Sequence, residues 1–434
     1  MIWLVLTLLA AEPMPLSLSK AVELATAPNG NLRLAMIRET ISKAEAKRRQ
    51  ALGAFLPQLE GMAGAASQTR NLQAFGFSLG PAVPFQIPSF VGPFTVVDYR
   101  VSATQSILDL SAIYRYQAAR LRKEVADAEV RQARQVTIQQ VARTYVLVLR
   151  AEAALDAARA GQALAERLVL LAESQKRAGT GTGIELTRAK VQLQNEKQRV
   201  LVASNEGERA GLELKRQTGI SFDQELKLTD RMNDGSEPAP GLAAALESAF
   251  AGRLDLLAQE RRRSALGLSV RGIRAERLPS LASSGDYGVI GDGSRMLPTR
   301  SVAIGLRVPV FDGGRREARL AEAGTQLRQE SLRTEDLKRQ IEVEVRQALQ
   351  ALENARAQIE AARLGLELAG QELEQAQRRT EAGVASGVEL TDAQTRLARA
   401  RDNQLAALSQ FNLARIEVAA ATGTMETAAK GMVH

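Results

Sequence analysis

From Val345 to Leu373 an aliphatic side chain returns every seven residues: Val345, Leu352, Ile359, Leu366 and Leu373. Ala348, Ala355, Ala362, Ala369 and Ala376 fall between them, so the spacing alternates between three and four. That is the seam of a coiled coil. The same pattern stands 204 residues earlier as Val141, Val148, Leu155, Gln162 and Val169, interleaved with Thr144, Ala151, Ala158, Ala165 and Ala172. Gln162 is the polar exception among the large positions. The offset holds further on, where Leu186, Leu193 and Val200 answer Leu390, Leu397 and Gln404, and Thr218-Gly219 answers Thr422-Gly423. The chain is therefore an internal duplication.

Proline marks where the long helices can run. All 13 prolines lie within 13–93, 238–240 and 279–309. The stretches without proline, which would break a helix interior, predict helices over 111–177 and 313–382, each roughly 100 Å long at 1.5 Å per residue. Each is followed by a glycine-rich phrase, "GTGTGIELT" at 179–187 and "GVASGVELT" at 383–391. These read as turns at 178–183 and 383–387 between antiparallel helices, leading into helices 184–218 and 388–421. Gly179, Gly181, Gly183, Gly383 and Gly387 supply the permissive backbone that a helix stop and reversal require. A dinucleotide site is excluded, because a helix rather than a strand precedes the glycines.

A period of two replaces the heptads upstream of each long helix. Val302, Ile304, Leu306, Val308 and Val310 alternate with small or polar residues, as do Val97, Tyr99, Val101 and Ala103. With partner strands near 59–70 and 281–290, this predicts hairpins over 59–107 and 281–310. Half of the chain's aromatics fall between 75 and 116. Phe75, Phe77, Phe90, Phe94 and Tyr99, with Tyr287 in the second hairpin, fit a membrane-interface girdle. A small hydrophobic core under a loop accounts for them equally well.

Composition narrows the chemistry. Aromatics make up 4% of the 434 residues, cysteine is absent, and the single histidine is His434. Thiolate metal sites, disulfides and histidine general bases are thereby removed. The net charge of +8 is spread as Arg interleaved with Glu along the helices, which is the pattern of a solvated face and not of a nucleic-acid surface. No constellation of nucleophile, base or metal ligands stands out, so the expectation is no enzyme, no cofactor and no metal. Residues 1–11 are apolar and read as a secretory signal, although the usual basic start is missing. No other stretch offers the roughly 20 apolar residues of a membrane helix, so entry into a membrane requires strands.

The layout is then a signal at 1–11, a first repeat over 12–219, a linker over 220–240, a second repeat over 241–423 and a tail over 424–434. Each repeat reads short helices, hairpin, very long helix, glycine turn, long helix. The class is mainly α with a small β part. Four strands cannot close a membrane barrel alone. They form either an open soluble sheet or a share of a barrel.

The order of "LSLSKAVELA" at 16–25, "ALGAFLPQLEG" at 51–61, "TQSILDL" at 104–110, "GLRVPVFDGGRR" at 305–316, the two Gly-[I/V]-Glu-Leu turns and "AAATG" at 419–423 resembles the outer membrane efflux protein family, the TolC-like channels. The resemblance covers about residues 16–423. It implies a homotrimer whose chains each give four strands to a shared 12-stranded barrel in outer membrane lipid, with coiled-coil hairpins forming an α-barrel through the periplasm. It implies a passive exit duct working with a periplasmic adaptor and an inner-membrane transporter, in an efflux pump or a type I secretion system. The glycine turns become the adaptor-docking tips. Glu185, Glu389 and Asp392 become the periplasmic constriction, although a helix first turn alone favours Glu185 and Glu389. The Tyr and Arg of the family's closing latch are replaced by Thr380 and Ala385, and Arg188, Arg378 or Arg396 would have to substitute. A soluble periplasmic coiled-coil scaffold or adaptor is the competing expectation, and the paired strands decide against it if they meet lipid.

Overall fold

In a computed structural model of the chain, residues 13–28, 30–72, 74, 90–179, 181–233, 239–382, 384, 387–429 and 431 are described. The proposed signal over 1–11, Phe75, Phe77, Gly383 and Ala385 lie outside them.

The first repeat carries β1 (Met14–Leu16), α1 (Leu18–Thr26), α2 (Leu32–Gly53), β2 (Gln58–Asn71), β3 (Phe90–Leu108), α3 (Leu110–Arg177) and α4 (Gly183–Thr218). After β4 (Leu226–Leu228) the second repeat follows as α5 (Leu242–Gly252), α6 (Leu254–Ala275), β5 (Ser280–Gly291), β6 (Met296–Arg307), α7 (Arg315–Glu381) and α8 (Gly387–Ala421), with a final turn α9 (Met425–Ala428). Two compact units divide the residues. The first takes the chain up to Ile41, Ala126–Ala258 and everything from Arg333; the second takes Ser42–Val125 and Gln259–Leu332.

In the first unit the heptad seam of the second repeat is buried as its spacing predicts. Val345, Ala348, Leu352, Ala355 and Ile359 of α7 pack with Ala407, Phe411 and Ala414 of α8 and with Ala245 and Ala249 of α5. Each buried aliphatic contributes about 1.5–3 kcal/mol. Further along, Ala369, Leu373 and Ala376 meet Leu390, Ala393 and Leu397, and Leu164 and Leu168 of α3 close the cluster. The first repeat differs in burial: Leu186, Leu193 and Val200 of α4 are only half-buried.

A third cluster surrounds Tyr145 and joins Ile138, Val141 and Leu149 of α3 to Leu214, Ile416 and Met425. Leu16 of β1 enters it, and β1 pairs in parallel with β4 from Met14↔Leu226 to Leu16↔Leu228. The Tyr145 hydroxyl donates to the Leu16 carbonyl at 2.8 Å. Asp230 accepts from the Leu18 backbone N–H at 2.7 Å, and Asn412 accepts from the Asn233 N–H at 3.1 Å. The linker over 220–240 is thus anchored along part of its length, by a strand too short to show any period in the sequence.

The second unit holds one antiparallel sheet in the order β2-β3-β5-β6. The hairpin of one repeat lies beside that of the other, from Val97↔Gly291 to Leu108↔Leu281. Two bounds move from their expected places. Strand β6 ends at Arg307 rather than 310, since Pro309 has no N–H for the ladder. Helix α7 starts at Arg315 rather than 313, because Gly313 and Gly314 both take positive φ, 70° and 79°.

Candidate functional site

Two places gather the residues singled out by the sequence: the helix reversals in the first unit and the two faces of the sheet in the second.

At the first reversal α3 closes with Gly179 at φ 73°, the left-handed cap that glycine adopts without steric cost. The Gly181 N–H donates to the Gln175 carbonyl at 3.1 Å. A Cβ on Gly181 would stand 3.0 Å from that of Gln175, whereas one on Gly183 would meet nothing within 4 Å. Gly183 is already helical. Its permissive backbone is therefore not what the turn uses, and in this respect the expectation is corrected. Thr182 caps α4 through a reciprocal box: its hydroxyl accepts from the Glu185 N–H at 3.3 Å, and the Glu185 carboxylate accepts from the Thr182 N–H at 2.8 Å. Two otherwise orphaned donors are satisfied this way.

At the second reversal the Val384 N–H reaches back to the Arg379 carbonyl at 3.0 Å, and α8 begins at Gly387. Arg379 Nε stands 3.0 Å from Glu389 Oε1, an ion pair that spans the turn. Asp392 is exposed and carries no ion pair among the described residues. Behind the turns, Lys190 and Glu173 tie α4 to α3 at 3.2 Å, and Arg396 and Glu372 tie α8 to α7 at 2.7 Å. Arg378 pairs within its own helix with Glu374 at 3.4 Å, and the Thr380 hydroxyl donates to Ala376 at 2.8 Å.

In the sheet, directly opposed residues share a face. One face carries Leu59, Val97, Tyr99, Val101, Tyr287, Val289, Val302, Ile304 and Leu306, with Arg300 opposite Tyr287 as its charged member. Most of its large side chains are open to solvent in the single chain, Val302 at 89% and Ile304 at 70%, while Val97 and Val289 are half-buried. The other face aligns Glu60, Ser102, Asp286 and Ser301 in one row across all four strands. Arg100 binds Asp98 at 2.6 Å and Asp286 at 3.3 Å, and the Ser301 hydroxyl donates to Asp286. Of the proposed aromatics, Tyr99 and Tyr287 stand on the apolar face. Phe94 takes the parity of Asp98 and Arg100 on the polar one, and Phe90 is exposed at the start of β3. The Arg100 cluster lies outside the residues that the sequence marks as candidates, although the alternation of Asp98, Arg100 and Ser102 between apolar residues carries its signal.

Among the described residues no group of acidic or histidine side chains is placed to hold a metal ion. No described helix is long and apolar enough to cross a membrane.

A model of the family described as outer membrane efflux protein matches residues 24–219 and 245–424. No curated protein matches the chain in sequence. Solved structures share its fold. The outer membrane protein VceC of Vibrio cholerae superposes with a TM-score of 0.78 at 18% identity, over 94% of this chain and 96% of that one. The CmeC outer membrane channel of Campylobacter jejuni gives 0.77 at 17% identity, over 96% and 89%. The open-state MtrE outer membrane channel of Neisseria gonorrhoeae gives 0.74 at 18%, over 94% and 89%.

Proposed function

The chain belongs to the outer membrane efflux protein family, and from that premise we propose how it carries solutes: three copies pool their sheets into one barrel and their helices into one periplasmic tunnel. It is a channel subunit of the outer membrane, and the family and its structural neighbours are channels rather than enzymes.

The single observation that carries the assembly is the four-stranded sheet with one largely apolar face, one polar face and two edges, β2 and β6, that pair with no further strand among the described residues. Alternation of that kind is what a barrel wall between lipid and water requires. Edges left bare would invite uncontrolled pairing. A threefold ring closes them, with 12 strands in all, the Tyr99 and Tyr287 side at the lipid and the Arg100 side at the lumen. The scaffold alternative would leave Val302, Ile304 and Leu306 in water, which disfavours it.

At the periplasmic end the turns around Gly179 and Gly387 serve as tips on which an adaptor docks, coupling the duct to an inner-membrane transporter. The acidic residues beyond them line the constriction. Because Glu185 is engaged by Thr182 and Glu389 by Arg379, Asp392 is the carboxylate that meets passing ions most directly. A negative ring favours cations.

The native mass of protein extracted from the outer membrane, measured by light scattering corrected for detergent, tests this. Three chains uphold the shared barrel; a monomer or dimer recovered from the soluble fraction replaces it with the scaffold.

A further inference from the structure

Where α4 of the first repeat meets α8 of the second, the Leu and Ala seam is interrupted by a polar node. Glu196 of α4 is 5% exposed. Its carboxylate rests on Gly161 of α3, where a Cβ would come within 2.7 Å of Oε2. It accepts from Gln192 at 3.0 Å, and Arg199 approaches it at 3.4 Å. Arg199 then reaches across to α8 and grips both oxygens of Asp402, at 3.0 and 2.8 Å. Gln394 of α8, 8% exposed, lines the same small cavity with its Nε2 unpartnered. The cavity, about 30 Å³, has room for a bridging water.

A duplicated chain has a pairing problem. Both repeats present the same Leu and Ala spacing, so apolar packing alone barely distinguishes α8 from a second α4 as the neighbour of α4. The node is not duplicated. At the 204-residue offset, Glu196, Arg199, Gln394 and Asp402 correspond to Ala400, Asn403, Lys190 and Gln198. An α4 standing in the place of α8 would offer Arg199 a neutral Gln198 and set Lys190 where Gln394 stands. An α8 in the place of α4 would face Asp402 with Asn403 and leave the slot at residue 161 unfilled. Polar contacts inside an apolar seam are well suited to this choice, since a wrong partner strands them.

We propose that the node of Gly161, Glu196, Arg199 and Asp402 is a pairing-specificity contact within the chain, which selects α8, and not the α4 of another copy, as the neighbour of α4. This rests on the assembled-tunnel reading, and the mass of the wild-type assembly, taken in the same experiment, reports on that reading separately.

The test compares Arg199→Asp, Asp402→Arg, both changes in one chain, and the two single variants coexpressed with different tags. The readout is the fraction of extracted protein at the wild-type mass. Each single reversal lowers that fraction about two- to fivefold, on the scale of a lost ion pair. The double change restores it, and the coexpressed singles stay low because every chain still holds one mismatch within itself. A ring of three built from the mixture can match at most two of three contacts between chains, so even partial recovery there would mean that the contact runs between chains and would overturn the proposal. So would wild-type assembly by either single variant. The milder Arg199→Gln and Asp402→Asn guard against simple misfolding: each lowers the melting midpoint, and together they lower it no further than one alone. A double change as poor as the singles, with these neutral variants unimpaired, also overturns it.

Discussion

Arg379 and Glu389 face each other across the second helix reversal, Nε to Oε1 at 3.0 Å, while in the first repeat the equivalent glutamate, Glu185, turns back onto Thr182. Equivalent carboxylates of a duplicated chain thus have different partners. Position 379 corresponds to Gln175, so the first repeat holds no cation at that position.

That asymmetry fixes a ranking for ion selectivity in planar bilayers. Asp392→Asn lowers cation preference most. Arg379→Gln raises it by releasing Glu389. Glu185→Gln leaves the reversal potential nearly unchanged while lowering the melting midpoint, because it weakens a helix cap. Equal effects from all three would remove the assignment of a constriction at this end.

The two faces of the sheet respond oppositely to charge. Ile304→Lys, on the apolar face, costs about 2–4 kcal/mol if it faces the bilayer middle and depletes the protein from the outer-membrane fraction. Ser284→Lys, on the polar face one strand away, leaves the membrane-inserted yield near wild type. Matching losses from both would mean that neither face meets lipid.

The glycines of the first turn separate by backbone angle. Gly179→Ala forces a side chain into the left-handed region at φ 73° and costs about 1–2 kcal/mol. Gly183→Ala enters open space inside a helix and is neutral or stabilising by up to about 1 kcal/mol. Thermal unfolding of the two variants side by side checks the contrast.

Burial, reinforced by the nearby Asp230 charge, pushes the Tyr145 hydroxyl above its ordinary value of 10.0. The folded state keeps the neutral phenol while the unfolded chain ionises near pH 10. The stability it contributes is whole below that pH and is lost as pH rises through the folded value. Tyr145→Phe costs about 1 kcal/mol at neutral pH through the missing bond to Leu16. Its melting midpoint falls less steeply than that of the wild type above pH 10, which a pH series of melts reads directly.

The long helices were legible because two independent signals agree on them: absent proline and the heptad of Val345, Leu352 and Ile359. Their ends came within two residues. The strands were legible through the alternation around Val101 and Ile304. The neighbours were not. That β3 lies beside β5, and that Met14–Leu16 pairs with Leu226–Leu228, depends on contacts between residues far apart in sequence, and three-residue strands have no measurable period. Likewise the position of Glu185 in the chain marks it as acidic beside a turn. Only the side-chain geometry reveals that its carboxylate is already bonded to Thr182.

The unpaired edges of β2 and β6 bear on inheritance. In the proposed ring each chain must offer a sound strand to a neighbour on either side. A copy with a spoiled edge therefore does not merely fail; it disables every ring it enters. Produced together with intact copies, such a chain would behave as a dominant poison, and a gene for it would harm a cell more than the loss of one copy alone.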